Sequence, residues 1–152
     1  MADTETQAND AQQEFAIHRL FVKDISLETP HSPQIFNEKW EPQVELNLDT
    51  SHEALENNLY AVTLKVTATA KLKDKVAFLI EVQQSGIFLV NNFAESQQDE
   101  LLGSFCPNVL FPYAREVISD VVVRGGFPPL YLAPVNFDSI YQQRKQQQAA
   151  NN

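Results

Sequence analysis

Hydrophobic and polar positions alternate strictly along three stretches of the first half of the chain. In "PQVELNLDT", Val44, Leu46 and Leu48 share one side, and Gln43, Glu45, Asn47 and Asp49 share the other. In "LYAVTLKVTATAKL", Tyr60, Val62, Leu64, Val66, Ala68, Ala70 and Leu72 oppose Thr63, Lys65, Thr67, Thr69 and Lys71. The turn signal "KDK" (Lys73–Lys75) leads into "VAFLIEVQQSGIFLV". There Val76, Phe78, Ile80 and Val82 share a face, with Ala77, Leu79, Glu81 and Gln83 behind it. A period of two marks extended strands with one buried and one wet face. An earlier strand, "AIHRLFVKDISLE" (Ala16–Glu28), is apolar on both sides, and simple parity puts Asp24 and Glu28 on the side of Leu20 and Val22. The pattern predicts a four-stranded, mainly antiparallel sheet. The first two strands are separated by "TPHSPQIFNEKWEP" (Thr29–Pro42), too long and too proline-rich for a hairpin. It is expected to cross the sheet, carrying Ile35, Phe36 and Trp40.

From Ser96 the period becomes helical. "SQQDELLGS" predicts a short helix, and "PNVLFPYAREVISDVVVR" (Pro107–Arg124) a longer one ended by Gly125 and Gly126. The polar stripe of the long helix is narrow (Arg115, Glu116, Ser119, Asp120 and Arg124), and apolar residues wrap the rest. A helix that is apolar nearly all round is buried on two sides. One sheet covers one side, so Val109, Tyr113, Val117 and Val121 are expected to meet another subunit. Asn136 is the expected N-cap of a last helix whose apolar stripe is Phe137, Ile140 and Tyr141. The fold class is therefore α+β, a four-stranded antiparallel sheet with a long crossing loop, backed by C-terminal helices. Residues 1–15 are expected as an acidic, disordered tail, 16–141 as one domain, and 142–152 as a Gln-rich tail, helical only at its start.

Charge narrows the function. The net charge is −9, which speaks against nucleic-acid binding, because phosphate requires a basic footprint. Between Glu28 and Glu56 seven acids accompany one base, Lys39. That run is either a solvated face or a docking surface for a basic partner. A single cysteine excludes an internal disulfide and suits a reducing compartment. With no signal-peptide pattern and no apolar run long enough to span a bilayer, the expectation is a soluble, cytoplasmic protein without membrane insertion.

Candidate chemistry is sparse. His18, His31 and His52 show no ligand spacing, so no metal is expected. Cys106, before Pro107 at a helix start, could be an activated thiol, but its flanks are apolar and no His is near in sequence. Pro112 lies either at a second helix start or at a kink. No P-loop, GxSxG or GxGxxG occurs. Neither an enzyme nor a cofactor is expected.

The segments "VKDISLE", "LYAVTLKVTATA", "FLIEVQQSGIF", "CPNVLFPYARE" and "LAPVNFDSIY", in this order over Ile17–Tyr141, closely resemble the SecB family of bacterial protein-export chaperones. The resemblance implies a homotetramer, a dimer of dimers. It also implies an ATP-independent holdase that keeps non-native precursor proteins unfolded and delivers them to the translocase motor SecA. The alternative within the same fold is a SecB-like chaperone dedicated to one toxin–antitoxin pair. By the family's motif positions, the SecA contact falls on Asp24, Glu28, Leu79 and Glu81. The family's client grooves, between crossing loop, last helix and sheet, implicate Ile35, Phe36, Trp40, Phe137, Ile140 and Tyr141 through their apolar character. Where the family often has a second cysteine and a Gly-Gly pair, this chain has Ile80 and Ser85-Gly86. Where its tail is frequently acidic, this one is Gln-rich with Arg144 and Lys145.

Overall fold

The computed structural model describes residues 12–151. Four strands, β1 (Glu14–Glu28), β2 (Gln43–Ala54), β3 (Leu59–Leu72) and β4 (Lys75–Asn91), form one antiparallel sheet in the order β1-β4-β3-β2. β1 and β2 are thus opposite edges, and the Thr29–Pro42 segment crosses the sheet between them as expected. β3 and β4 join through a tight turn in which Lys73 takes a left-handed conformation (φ 56°). β1 starts at Glu14, inside the stretch expected as tail; residues 1–11 of that tail lie outside the described residues.

The alternation of β2 and β3 holds, and that of β4 holds from Phe78 onward. A bulge at Ala77 sets Val76 opposite Lys71, on the outer side and away from Phe78, Ile80 and Val82, contrary to the parity expectation. Val62, Leu64, Val66, Ala68, Ala70, Phe78, Ile80 and Val82 are fully buried on one face, and in register with them stand Val44, Leu46 and Leu48 of β2. β1 departs from the parity expectation. Its pairing with β4 slips by one residue between Ile17 and Arg19 and again between Val22 and Asp24. Each bulge adds an unpaired residue and reverses the side on which the following side chains fall. Phe15, Ile17, Leu20, Val22, Ile25 and Leu27 therefore all stand opposite helix-face positions of β4. Asp24 and Glu28 stand opposite outer-face positions, on the side away from Leu20 and Val22. Six of the apolar residues of β1 thus share the helix face, while Phe21, opposite Ser85, stays on the outer one.

The helical half is also more continuous than expected. α1 (Glu95–Glu100) runs through a π-helical stretch (Leu101–Phe105) directly into α2 (Cys106–Arg124). Pro107 has no N–H for the carbonyl of residue 103, and the wider turn before it accommodates the missing bond. Pro112 lies inside α2 and starts no second helix. α2 packs across β4 and β3, burying Pro107, Leu110, Phe111, Ala114, Ile118 and Val122 at helical spacing. α3 (Phe137–Ala150) begins at its expected cap, where Asn136 Oδ1 accepts the Ser139 N–H at 3.0 Å. It stays helical to Ala150, well past the start of the expected tail.

Candidate functional site

The outer face of the sheet brings the four expected partner residues together. Across the β1/β4 pair, Glu28 stands opposite Leu79, Ser26 opposite Glu81, and Asp24 opposite Gln83. With strands about 4.8 Å apart and a rise of about 3.4 Å per residue, the group spans about 13 Å along β1. Asp24 and Glu28 are exposed; Leu79 and Glu81 are half-buried. Glu81 Oε1 already has two neighbours on β3: Lys65 Nζ at 3.3 Å and the donating Thr67 hydroxyl at 3.3 Å. Among the described residues, Asp24 and Glu28 enter no ion pair. The patch is thus a half-exposed leucine with two unpaired carboxylates and a third partly neutralised from within. Lys65 was legible on this face by parity alone, although its pairing with Glu81 was not.

The six expected groove residues separate into two clusters. Ile35, Phe36 and Trp40 of the crossing loop gather at the C-terminal end of α2. Trp40 stacks on Phe78 with centroids 6.3 Å apart and lies 5.5 Å from Phe127, which is 5.2 Å from Phe36. Gly126, at φ 93°, seats the Phe36 ring: a Cβ there would come within 2.9 Å of Phe36 Cζ. Ile35 is 3% exposed and belongs to the core, whereas Phe36 is 49% exposed. Elsewhere in the loop, His31 Nδ1 hydrogen-bonds the Val76 carbonyl at 3.0 Å, and Lys75 pairs with Glu38 at 3.2 Å.

Phe137, Ile140 and Tyr141 gather at the other end of α2. Phe137 is buried, its ring 5.6 Å from that of Phe111, and Ile140 is half-buried. The Tyr141 ring lies over Gly103 in the π-helical stretch, where a Cβ would stand 2.8 Å from Cδ2, and its hydroxyl donates to Asp99. Burial, then that hydrogen bond and the carboxylate charge, push the phenol up to about 12. Arg144 fastens α3 to β2 through Thr50 Oγ1 at 2.9 Å and Asp49 at 3.7 Å. Here a cleft of about 630 Å³ opens, its apolar lining supplied by Phe93, Leu101, Phe105, Val135 and Phe137. About 20 Å of α2 separates the two clusters.

Two apolar surfaces went unseen in the sequence. α2 covers β4 and β3 but leaves Val44 and Leu46 of β2 exposed on the helix face, beside the crossing loop. Alternation had marked both simply as core. Along β1, an edge strand, Ile17, Val22 and Ile25 are exposed on the helix face. Of the expected subunit-contact residues, Val109, Val117 and Val121 are half-buried against the core, and Tyr113 is 48% exposed.

Cys106 is wholly buried, and desolvation pushes its thiol up to about 12, so it carries no thiolate near neutral pH. Among the described residues, no group of three His, Cys, Asp or Glu side chains could hold a metal ion. Nor is any helix among them long and apolar enough to cross a membrane.

Comparison with known proteins meets this geometry. The family model of SecB, preprotein translocase subunit, matches residues 8–148. The protein-export protein SecB of Methylococcus capsulatus is 53% identical over 135 residues, which cover 89% of this chain and 87% of that one. The protein-export protein SecB of Methylobacillus flagellatus is 49% identical over 152 residues, covering 100% of this chain and 97% of its own. Among solved structures, a SecB-like chaperone of Mycobacterium tuberculosis in complex with an antitoxin peptide aligns at TM-score 0.66. It shares 14% identity and covers 87% of this chain and 91% of its own, a likeness of fold alone. The family-model match and the close relatives together show that the chain belongs to the SecB family of protein-export chaperones.

Proposed function

We propose that the protein is a cytoplasmic, ATP-independent holdase that binds non-native precursor proteins and delivers them to SecA, working as a homotetramer and without a catalytic step. One observation carries the reading: apolar surface open to a client lies on the helix face, while the carboxylate-ringed Leu79 lies on the opposite face. A chain occupied on one side keeps the other available for SecA. Exposed Phe36, half-buried Trp40 and the uncovered Val44 and Leu46 provide a strip of generic apolar contact. Such contact is worth about 25 cal/mol per Å² and asks for no particular client sequence. Ile140, Tyr141 and the cleft floored by Phe137 extend it towards the far end of α2. The patch suits a partner that sets Lys or Arg around an apolar anchor, with the charges acting chiefly on association rate.

The homotetramer reading rests on two uncovered surfaces. The outward stripe of α2 exposes Tyr113, and the β1 edge exposes apolar side chains beside unpaired backbone groups. Light scattering should report four subunits. Co-purification from cells tests the whole: secretory precursors together with SecA support it, whereas a single toxin–antitoxin partner would replace it with a dedicated chaperone.

A further inference from the structure

Gln84 is a polar side chain that the helix face gives little reason to hold. It is 3% exposed, sits on the buried side of β4, and its Oε1 is buried without a hydrogen-bond partner. Its cross-strand neighbour Leu64 is fully buried and apolar. An amide in such a place costs stability unless it is fully bonded. Its one bond is informative: Gln84 Nε2 donates to the backbone carbonyl of Phe21 at 3.2 Å. Phe21 immediately precedes the second bulge of β1, where Val22 pairs with Gln84 and Asp24 with Gln83, leaving Lys23 without a partner. We propose that Gln84 is a positioning residue for the acidic patch: by holding the Phe21 carbonyl it pins the Lys23 bulge, and the bulge decides that Asp24 and Glu28, rather than Ile25 and Leu27, face the outer side. The inference rests on the SecA reading for its functional meaning, but its structural content stands separately.

Losing the bulge would advance β1 by one residue beyond Val22. Leu27 would then stand opposite Leu79 in place of Glu28, and Asp24 and Glu28 would turn under the sheet. Paired cysteines report this directly. With Gln84 present, Glu28→Cys/Leu79→Cys should oxidise to a disulfide in at least tenfold excess over Leu27→Cys/Leu79→Cys. In Gln84→Met, which keeps the side chain's length but cannot donate, that preference should reverse, and SecA affinity should fall at least tenfold. Deleting Lys23 removes the residue that needs holding, so Gln84→Met combined with that deletion should restore both the Glu28–Leu79 preference and SecA affinity. An unchanged preference in folded Gln84→Met overturns the proposal, as does failure of the deletion to rescue a Gln84→Met variant that does not fold. If the register reverses while SecA affinity stays the same, it is the patch reading that fails, and the role of Gln84 in the bulge stands.

Discussion

The two faces of the sheet use the same strands for opposite ends. On the helix face, β3 and β4 present side chains with no exposure at all beneath α2, where close packing makes every missing methylene felt. On the outer face the same strands alternate Thr, Lys, Glu and Gln around Leu79, with Ile87 and Leu89 as further half-buried apolar positions towards the other end of β4. The difference teaches where selection for stability and selection for recognition can be separated. A change on one face should move folding, and a change on the other should move partner binding.

The largest test of that separation is Ile118→Ala under α2. It should cost about 2–5 kcal/mol in chemical denaturation, because the cavity cannot collapse between helix and sheet. Equal stability would mean that α2 is not the main cover of the core. Next, lysines at Asp24, Glu28 and Glu81 together should lower SecA affinity in calorimetry by more than tenfold, about 1.4 kcal/mol. Stability should stay within about 0.5 kcal/mol at the exposed Asp24 and Glu28 sites, with a loss of up to about 1 kcal/mol at Glu81, whose pair with Lys65 is removed. Unchanged affinity would remove the patch from the SecA interface. A smaller effect of opposite sign should come from Lys65→Met. It frees Glu81 from its 3.3 Å partner, and partly exposed pairs are worth up to about 1 kcal/mol, so binding to SecA should strengthen a few-fold. Weaker binding would show that Lys65 helps the patch rather than masking it.

The smallest effect concerns the buried thiol. Cys106 is raised from 9.0 to about 12 by burial, so the folded chain keeps a proton that the unfolded chain loses first. Its contribution to stability is therefore complete below pH 9 and is lost as pH rises from there towards 12. Tyr141 adds a loss of the same sign, starting from 10.0. Denaturation curves at rising pH should steepen over this window and flatten in part for Cys106→Ala. Aggregation suppression near neutral pH should be the same for Cys106→Ser and the parent chain, since no thiolate takes part.

Much of the fold was open to reading without coordinates. Side chains of an extended chain alternate by backbone geometry, so the faces of β2, β3 and β4 from Phe78 onward follow from residue order, as do the Lys73–Asp74 turn and the Asn136 cap; Val76, before the Ala77 bulge, does not. The motif segments went further and named Asp24, Glu28, Leu79 and Glu81, which now stand on two paired strands. What residue order could not supply were quantities that belong to pairs of distant segments. Whether β1 bulges depends on its register against β4, and the second slip, at Lys23, moved Asp24 and Glu28 to the side opposite Leu20 and Val22. Whether Val44 and Leu46 are core or open surface depends on how far α2 reaches across the sheet, and it stops at β3. Whether the chain breaks before Pro107 depends on a wider turn finding room beneath α3, which Gly103 provides under the Tyr141 ring. Local periodicity determined the elements and their faces, while interstrand register and helix coverage, both set by packing between parts far apart in sequence, decided which of those faces a partner can reach.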